Sequence, residues 1–297
     1  MDDRPSASKP DIQFVTFDAI MPAAMAVRAE EAGAARTTID PLTLLTLSVL
    51  AGAFVSFGAV AATTVSAGAG ELPFGIVRLL NGLVFCTGLI LVVIGGAELF
   101  TGNTLIVIAW ASRRVKTRDV LFNWTVVYLG NCLGAMLTAV LMFSTTQYTF
   151  GSGSVGLVAL NTANAKASLA FFPAFALGIM CNVLVCLSVW MCYSARTSVD
   201  RIFTIVPPIT VFVIAGFEHC IANAYFIPVG LFIKAGAPDA FWASIGKTSA
   251  DFPELTWNNF LIGNLLPVTL GNLLGGSIMV AAVYWFIYLR SGSGVRR

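Results

Sequence analysis

The chain has 297 residues, 57% of them hydrophobic and only 11% charged, whereas a soluble domain has roughly 45–50% apolar and 25% charged residues. That composition, with a mean hydropathy of +0.85, excludes an ordinary water-soluble enzyme. A net charge of +2 and a single histidine provide no basic surface for nucleic acid and no imidazole set for a zinc or bis-His haem site. No metal and no cofactor is therefore expected.

In chain order, residues 1–9 are polar and precede no short apolar run, so no signal peptide is expected. Residues 17–36 mix apolar side chains (Phe17, Ile20, Met21, Met25, Val27) with Arg28, Glu30, Glu31 and Arg36, the pattern of an amphipathic helix lying at a membrane interface. Beyond it, the distance between formal charges is long enough for bilayer-spanning helices of about 20 residues. Six spans are predicted, near 42–63, 79–112, 120–143, 171–193, 202–233 and 267–289, with 145–166, rich in Gly, Ser and Asn, as a loop partly at membrane depth. Pro173 and Pro267 fit the first turns of helices. The six cysteines lie in apolar stretches without CxxC spacing and read as small packing residues.

Alternating the connections across the bilayer puts 13 of the 17 Lys and Arg residues on the side of the N-terminus. The positive-inside rule then places both termini in the cytoplasm of a multi-pass plasma-membrane protein, bacterial inner membrane in type. The expected organisation is a cytoplasmic N-terminal segment (1–37), one transmembrane domain (38–290) and a cytoplasmic tail (291–297).

The two long segments with a charge in the middle align at an offset of 120 residues. Val93-Ile94-Gly95-Gly96-Ala97-Glu98-Leu99-Phe100-Thr101-Gly102-Asn103 matches Val213-Ile214-Ala215-Gly216-Phe217-Glu218-His219-Cys220-Ile221-Ala222-Asn223 at five of eleven positions. Leu129-Gly130-Asn131-Cys132-Leu133-Gly134 repeats as Leu270-Gly271-Asn272-Leu273-Leu274-Gly275. A duplicated unit of three spans enters the membrane from the opposite side the second time, which predicts an all-α membrane protein of two inverted three-helix repeats. The second and fifth helices are interrupted by Gly, Glu, Thr and Asn, and mid-membrane breaks persist only where they line a cavity or are buried in protein. Two half-helices are expected to start near Asn103 and Asn223, with those side chains as caps. Their N-termini favour a small anion without holding it as a full charge would.

His219 lies beside one break, where an ionisable group is a functional candidate that can titrate near neutral pH; otherwise it is a hydrogen-bonded packing residue. Glu98 and Glu218 either attract cations or, as favoured here, accept hydrogen bonds from N–H groups freed in their own loops. Lys166 is an anion attractor at the outer mouth or a snorkelling lysine. Phe85, Leu89, Leu99, Phe100 and Phe212 can pinch a pore, although packing accounts for any one of them.

The blocks Glu98 to Asn103 and Gly216 to Asn223, with Asn123-Trp124, Tyr128 to Asn131, 182–194, Ile227-Pro228 and Pro267 to Asn272, resemble the formate/nitrite transporter family, most of all its formate channel branch. The resemblance spans about 17–289 and implies an aquaporin-like fold, a homopentamer with one pore per protomer, and passage of formate, nitrite or hydrosulfide. Carried over by position, it implies Thr101 and His219 at the pore centre with Asn182 and Asn223 nearby. Phe85, Leu89 and Phe212 would form an outer constriction, Leu99, Phe100 and Val185 an inner one, and Lys166 would lie at the outer vestibule. Glu98 and Gly102 follow the wider family, where close formate channels carry Asp and Ser. An aquaporin is disfavoured because Asn-Pro-Ala is missing from the sequence. An intramembrane enzyme is disfavoured because the spans hold one His and no Asp.

Overall fold

A computed structural model describes residues 18–70 and 72–290; the polar start and the C-terminal tail discussed above lie outside them. The described chain is helical: α1 (Pro22–Arg36), α2 (Pro41–Ser66), α3 (Phe74–Gly95), α4 (Phe100–Ala111), α5 (Thr117–Ser144), α6 (Ser154–Ala167), α7 (Phe171–Cys192), α8 (Ser198–Ala215), α9 (Cys220–Gly236), α10 (Asp239–Ile245) and α11 (Asn259–Tyr288). Among the described residues, α2, α3, α5, α7, α8 and α11 are long and apolar enough to cross a bilayer.

Local chemistry sets the ends of these helices. Asp40 accepts the Thr43 N–H at the start of α2, with Pro41 in its first turn, and Thr197 with Asp200 forms a reciprocal capping box on α8, each satisfying donors left open at a helix start. At their other ends α3 and α8 stop on Gly96 and Gly216, whose φ values of 77° and 74° are open to glycine at little cost. The chain then runs extended for a few residues before the next helix begins, which is how one apolar segment becomes a span plus a half-helix.

α2 packs on α3 and α5, and α7 packs on α8 and α11, while α3 and α8 meet each other. α1 covers the half-helix α4, and α6 covers the half-helix α9. The duplicated unit is therefore larger than three spans, because it begins with a covering helix. This explains why 145–166 is not a loop: Ser154–Ala167 is helical, burying Val155, Ala159, Leu160 and Ala163 on a helix-period stripe.

Two other expectations change. α1 buries Met25, Ala26 and Ala29 in a cluster with Leu105, Ile108 and Val189, so its apolar face is packed on protein, while Met21 and Val27 stay exposed. Pro267 stands in the first turn of the α-wound stretch Leu266–Leu274, but the span itself begins earlier, at Asn259, because the preceding residues Asn259–Leu265 are π-wound, a winding that accommodates a local break in the α-helical ladder.

Candidate permeation site

The two breaks are held by the same hydrogen bonds. Asn131 on α5 donates to Ser48 O and Glu98 O at 2.7 and 2.9 Å and accepts the Phe100 N–H at 2.8 Å. Asn272 on α11 donates to Gly178 O and Glu218 O at 2.7 and 3.0 Å and accepts the Cys220 N–H at 3.0 Å. Each asparagine thus satisfies the first N–H of a half-helix and the carbonyls beside it, groups that would be costly to bury unpaired.

Asn103 and Asn223 are not the caps. The half-helices start earlier, at Phe100 and Cys220, with Leu99 and His219 in the N-cap position. Asn103 and Asn223 sit within the first turn and point back to the glutamates: Asn103 donates to Glu98 Oε2 (2.7 Å) and Asn123 Oδ1 (2.9 Å), and Asn223 donates to Glu218 Oε2 (2.6 Å) and Asn264 Oδ1 (2.7 Å). The glutamates accordingly accept from side chains and not from loop N–H groups. Each also meets a cation carried by its covering helix: Arg36 Nε lies 3.5 Å from Glu98 Oε1, and Lys166 Nζ lies 2.7 Å from Glu218 Oε1.

Between the breaks, Thr101 Oγ1 and His219 Nε2 are 3.1 Å apart, both side chains buried. The Ala222 N–H donates to His219 Nδ1 at 3.1 Å. Because a backbone N–H can only donate, Nδ1 presents a lone pair, and the neutral ring carries its proton on Nε2, facing Thr101. The Thr101 hydroxyl then accepts from the imidazole and keeps its own proton free to donate onward. A chain of neutral donors runs from Ala222 through His219 to that hydroxyl, each bond polarising the next.

Two cavities flank this pair. The upper, of about 460 Å³, is lined by Phe85, Phe212, Phe226, His219, Asn223, Lys166, Glu218 and Arg78. The lower, of about 230 Å³, is lined by Leu89, Leu99, Gly102, Asn103, Val189, Arg36, Glu98 and Arg201. Phe85 and Phe212 meet edge to face with ring centroids 5.5 Å apart, next to His219, which stacks on Phe212 at 6.3 Å. Of the expected constriction residues, Leu89 lines the lower cavity with Leu99, while Phe100 and Val185 line neither. Phe100 packs edge to face on Tyr128. Asn182 also lines neither cavity; it donates to Asn272 O and Thr104 Oγ1 at 2.6 and 3.2 Å and fastens α4 to α11. The structure adds Arg36, Arg78, Arg201, Asn123 and Asn264. The last two form a repeat pair at the same spacing as Asn131 and Asn272. Asn223 Oδ1 is buried and makes no hydrogen bond among the described residues, leaving an acceptor on the upper cavity wall.

Two buried breaks, a neutral donor pair and a cavity on either side define a multi-pass membrane transport protein, in which irregular backbone lines the route of a small solute. The family model for "Formate/nitrite transporter" matches residues 23–286, and the chain belongs to that family. It is 45% identical over 274 residues to "Formate channel FocA" of Escherichia coli (strain K12), covering 92% of this chain and 96% of that protein. It is 38% identical over 268 residues to "Formate channel FocA" of Haemophilus influenzae, covering 90% and 94%. Among solved structures, a "Pentameric formate channel with formate bound" superimposes with a TM-score of 0.80 at 44% identity, covering 84% of this chain and 98% of that one.

Proposed function

We propose that the protein is a channel for small monovalent anions, formate first among them, assembled as a homopentamer with one pore per protomer in a bacterial inner membrane. The observation that carries this reading is the Thr101–His219 pair between two cavities, where a hydroxyl backed by an imidazole N–H offers a donor without a fixed charge and the positive ends of two half-helices are turned toward it. Such a centre stabilises a partly dehydrated anion but does not trap it. The names and assembly of the similar channels support formate and the pentamer.

The two halves are read as inverted repeats of one transmembrane domain, 38–290, because an odd number of spans separates two breaks that carry the same hydrogen bonds. Residues 1–37 and 291–297 flank it in the cytoplasm, on the side of Arg113, Arg114, Lys116 and Arg118, as the positive-inside rule requires. The lower cavity then faces the cytoplasm and the upper one the periplasm.

Permeation follows from the order of the parts. An anion passing Phe85 and Phe212 loses water, and loss of water raises its own proton affinity. At the centre it accepts from the Thr101 hydroxyl, backed by His219 Nε2–H. At neutral pH it continues as an anion past Leu89 and Leu99. At low periplasmic pH the ring takes up a proton on Nδ1 as the Ala222 N–H lets go, its Nε2 proton passes through the Thr101 hydroxyl to the anion, and the neutral acid crosses the apolar collar at far lower cost than the charge. Planar-bilayer recordings test the class: formate current with negligible Na⁺ or K⁺ permeability is expected, and a cation-selective conductance refutes the reading. A proteoliposome flux panel over formate, nitrite and hydrosulfide ranks the substrates, and slow formate flux beside fast flux of either other anion overturns the preference.

A further inference from the structure

Each cavity wall holds two basic side chains and one acidic one: Arg78, Lys166 and Glu218 above, Arg36, Arg201 and Glu98 below. In each, the glutamate is engaged by the cation of its covering helix, Lys166 at 2.7 Å and Arg36 at 3.5 Å. Arg78 and Arg201 make no ion pair among the described residues. Arg78 spends only one of its donors on the fold, with Nε donating to Ile214 O at 3.0 Å. Its terminal Nη2 lies against the left-handed Gly216, 2.9 Å from where a Cβ would stand, so the guanidinium hangs over the break at the cavity wall. Arg201 stands at the start of α8 with its side chain exposed.

We propose that Arg78 and Arg201, one at each mouth, are the cations that recruit the permeating anion, while Lys166 and Arg36 neutralise the glutamates of the breaks. The inference rests on the anion-channel reading above and names the residues that set its entry rates. A charge at a wide, wet mouth raises local anion concentration but exerts little hold on an ion at the buried centre, so its effect lies in entry and is screened by salt. Seen across a few water diameters, one unit charge is worth on the order of RT, which corresponds to about a threefold change in local concentration at low ionic strength.

The experiment is formate current across planar bilayers holding the full-length protein, measured from each side at low and at molar salt. Arg78→Gln is expected to cut current carried by anions entering the upper mouth about threefold at low salt and to leave entry from below near wild type. Arg201→Gln is expected to give the opposite rectification, and both effects should vanish at molar salt, where the Debye length is about 3 Å. Arg78→Lys keeps the charge and loses the Nε bond to Ile214, so it should restore the current. If Arg78→Lys is as defective as Arg78→Gln, or if either Gln variant lowers current equally from both sides, the arginines are structural and the proposal is overturned. Those outcomes are separable from failure of the channel reading, which appears in the wild-type protein as cation selectivity.

Discussion

His219→Asn separates the two bonds that the imidazole makes. Nδ1 caps the half-helix through the Ala222 N–H, and Nε2 meets Thr101. Asparagine is among the strongest N-cap residues, so its Oδ1 can keep the Ala222 bond, whereas losing the cap outright, as in His219→Ala, costs about 1 kcal/mol. The fold is therefore expected to survive with unchanged thermal stability. At the pore centre the bond lost is the neutral Nε2–H to Thr101 Oγ1 contact, worth about 0.5–1.5 kcal/mol, or roughly 2- to 13-fold in affinity if all of it is felt by the anion and nothing replaces it. The Asn amide replaces part of it, so transport should persist with formate affinity lowered about tenfold or less. Titration of the side chain is removed altogether, so the pH dependence of formate flux should flatten across an assayed range of about pH 4 to 8. The assay is formate uptake and efflux in proteoliposomes with an internal pH dye, stepped across that range. If the Asn variant retains the wild-type pH profile and proton-to-formate ratio, the proton-transfer role is refuted and His219 is a capping and hydrogen-bonding residue only.

Leu89 and Leu99 line the lower cavity together, so Leu89→Ala with Leu99→Ala should admit a three-carbon carboxylate; unchanged discrimination against it in liposome flux would remove both from the pore wall. Asn131→Ala and Asn272→Ala each strip three buried bonds and leave partners unsatisfied, which predicts losses of about 3–5 kcal/mol for either variant. Thermal unfolding in detergent should show similar drops, and a small effect for one would break the equivalence of the halves. Outside the membrane, the N–H of Thr248 holds the Asp251 carboxyl below its ordinary value, with the Thr248 hydroxyl adding to the effect. A lowered folded-state value means that the stabilisation is present above the unfolded value of about 3.9 and fades as pH falls through the folded one. Proteolysis within 246–252 should quicken only on that acid limb, and Asp251→Asn should show the acid-limb rate at neutral pH.

The spans and the breaks were legible because they rest on local signals: long gaps between charges, and Gly-X-Glu blocks recurring at one offset. The helix Ser154–Ala167 was hidden because its Gly, Ser, Asn and Thr content imitates a loop, and its helical stripe is made of alanines as much as of large residues. Its role becomes visible only when α1 and α6 are seen covering equivalent half-helices. Local preference points to Asn103 and Asn223 as caps, but the first N–H of each half-helix is taken by Asn131 or Asn272 from another span, beyond any reading of neighbours, and in α9 His219 adds a local cap on Ala222. The Asn131/Asn272 repeat is itself a sequence signal, and the same offset pairs Asn123 with Asn264 eight positions earlier. Salt bridges such as Lys166–Glu218, 52 residues apart, leave no local trace at all.

Those pairings resolve a physical conflict in the sequence. A free carboxylate beside the route of an anion would repel it, and at low effective dielectric that repulsion is large. Glu98 and Glu218 nonetheless lie in the two breaks whose half-helices point their positive ends inward. Each carboxylate is turned to a cation and to asparagine donors, so it tethers the first turn of its half-helix while its charge is met locally. The N-terminal dipoles then act at Thr101 and His219 without an opposing free carboxylate. Removing Lys166 or Arg36 would then act on two levels, exposing a buried carboxylate and opposing the dipole that the ion needs. Positive charge beyond those pairs, on Arg78 and Arg201, belongs at the wet mouths, where it raises the supply of ions without deepening the well they must leave.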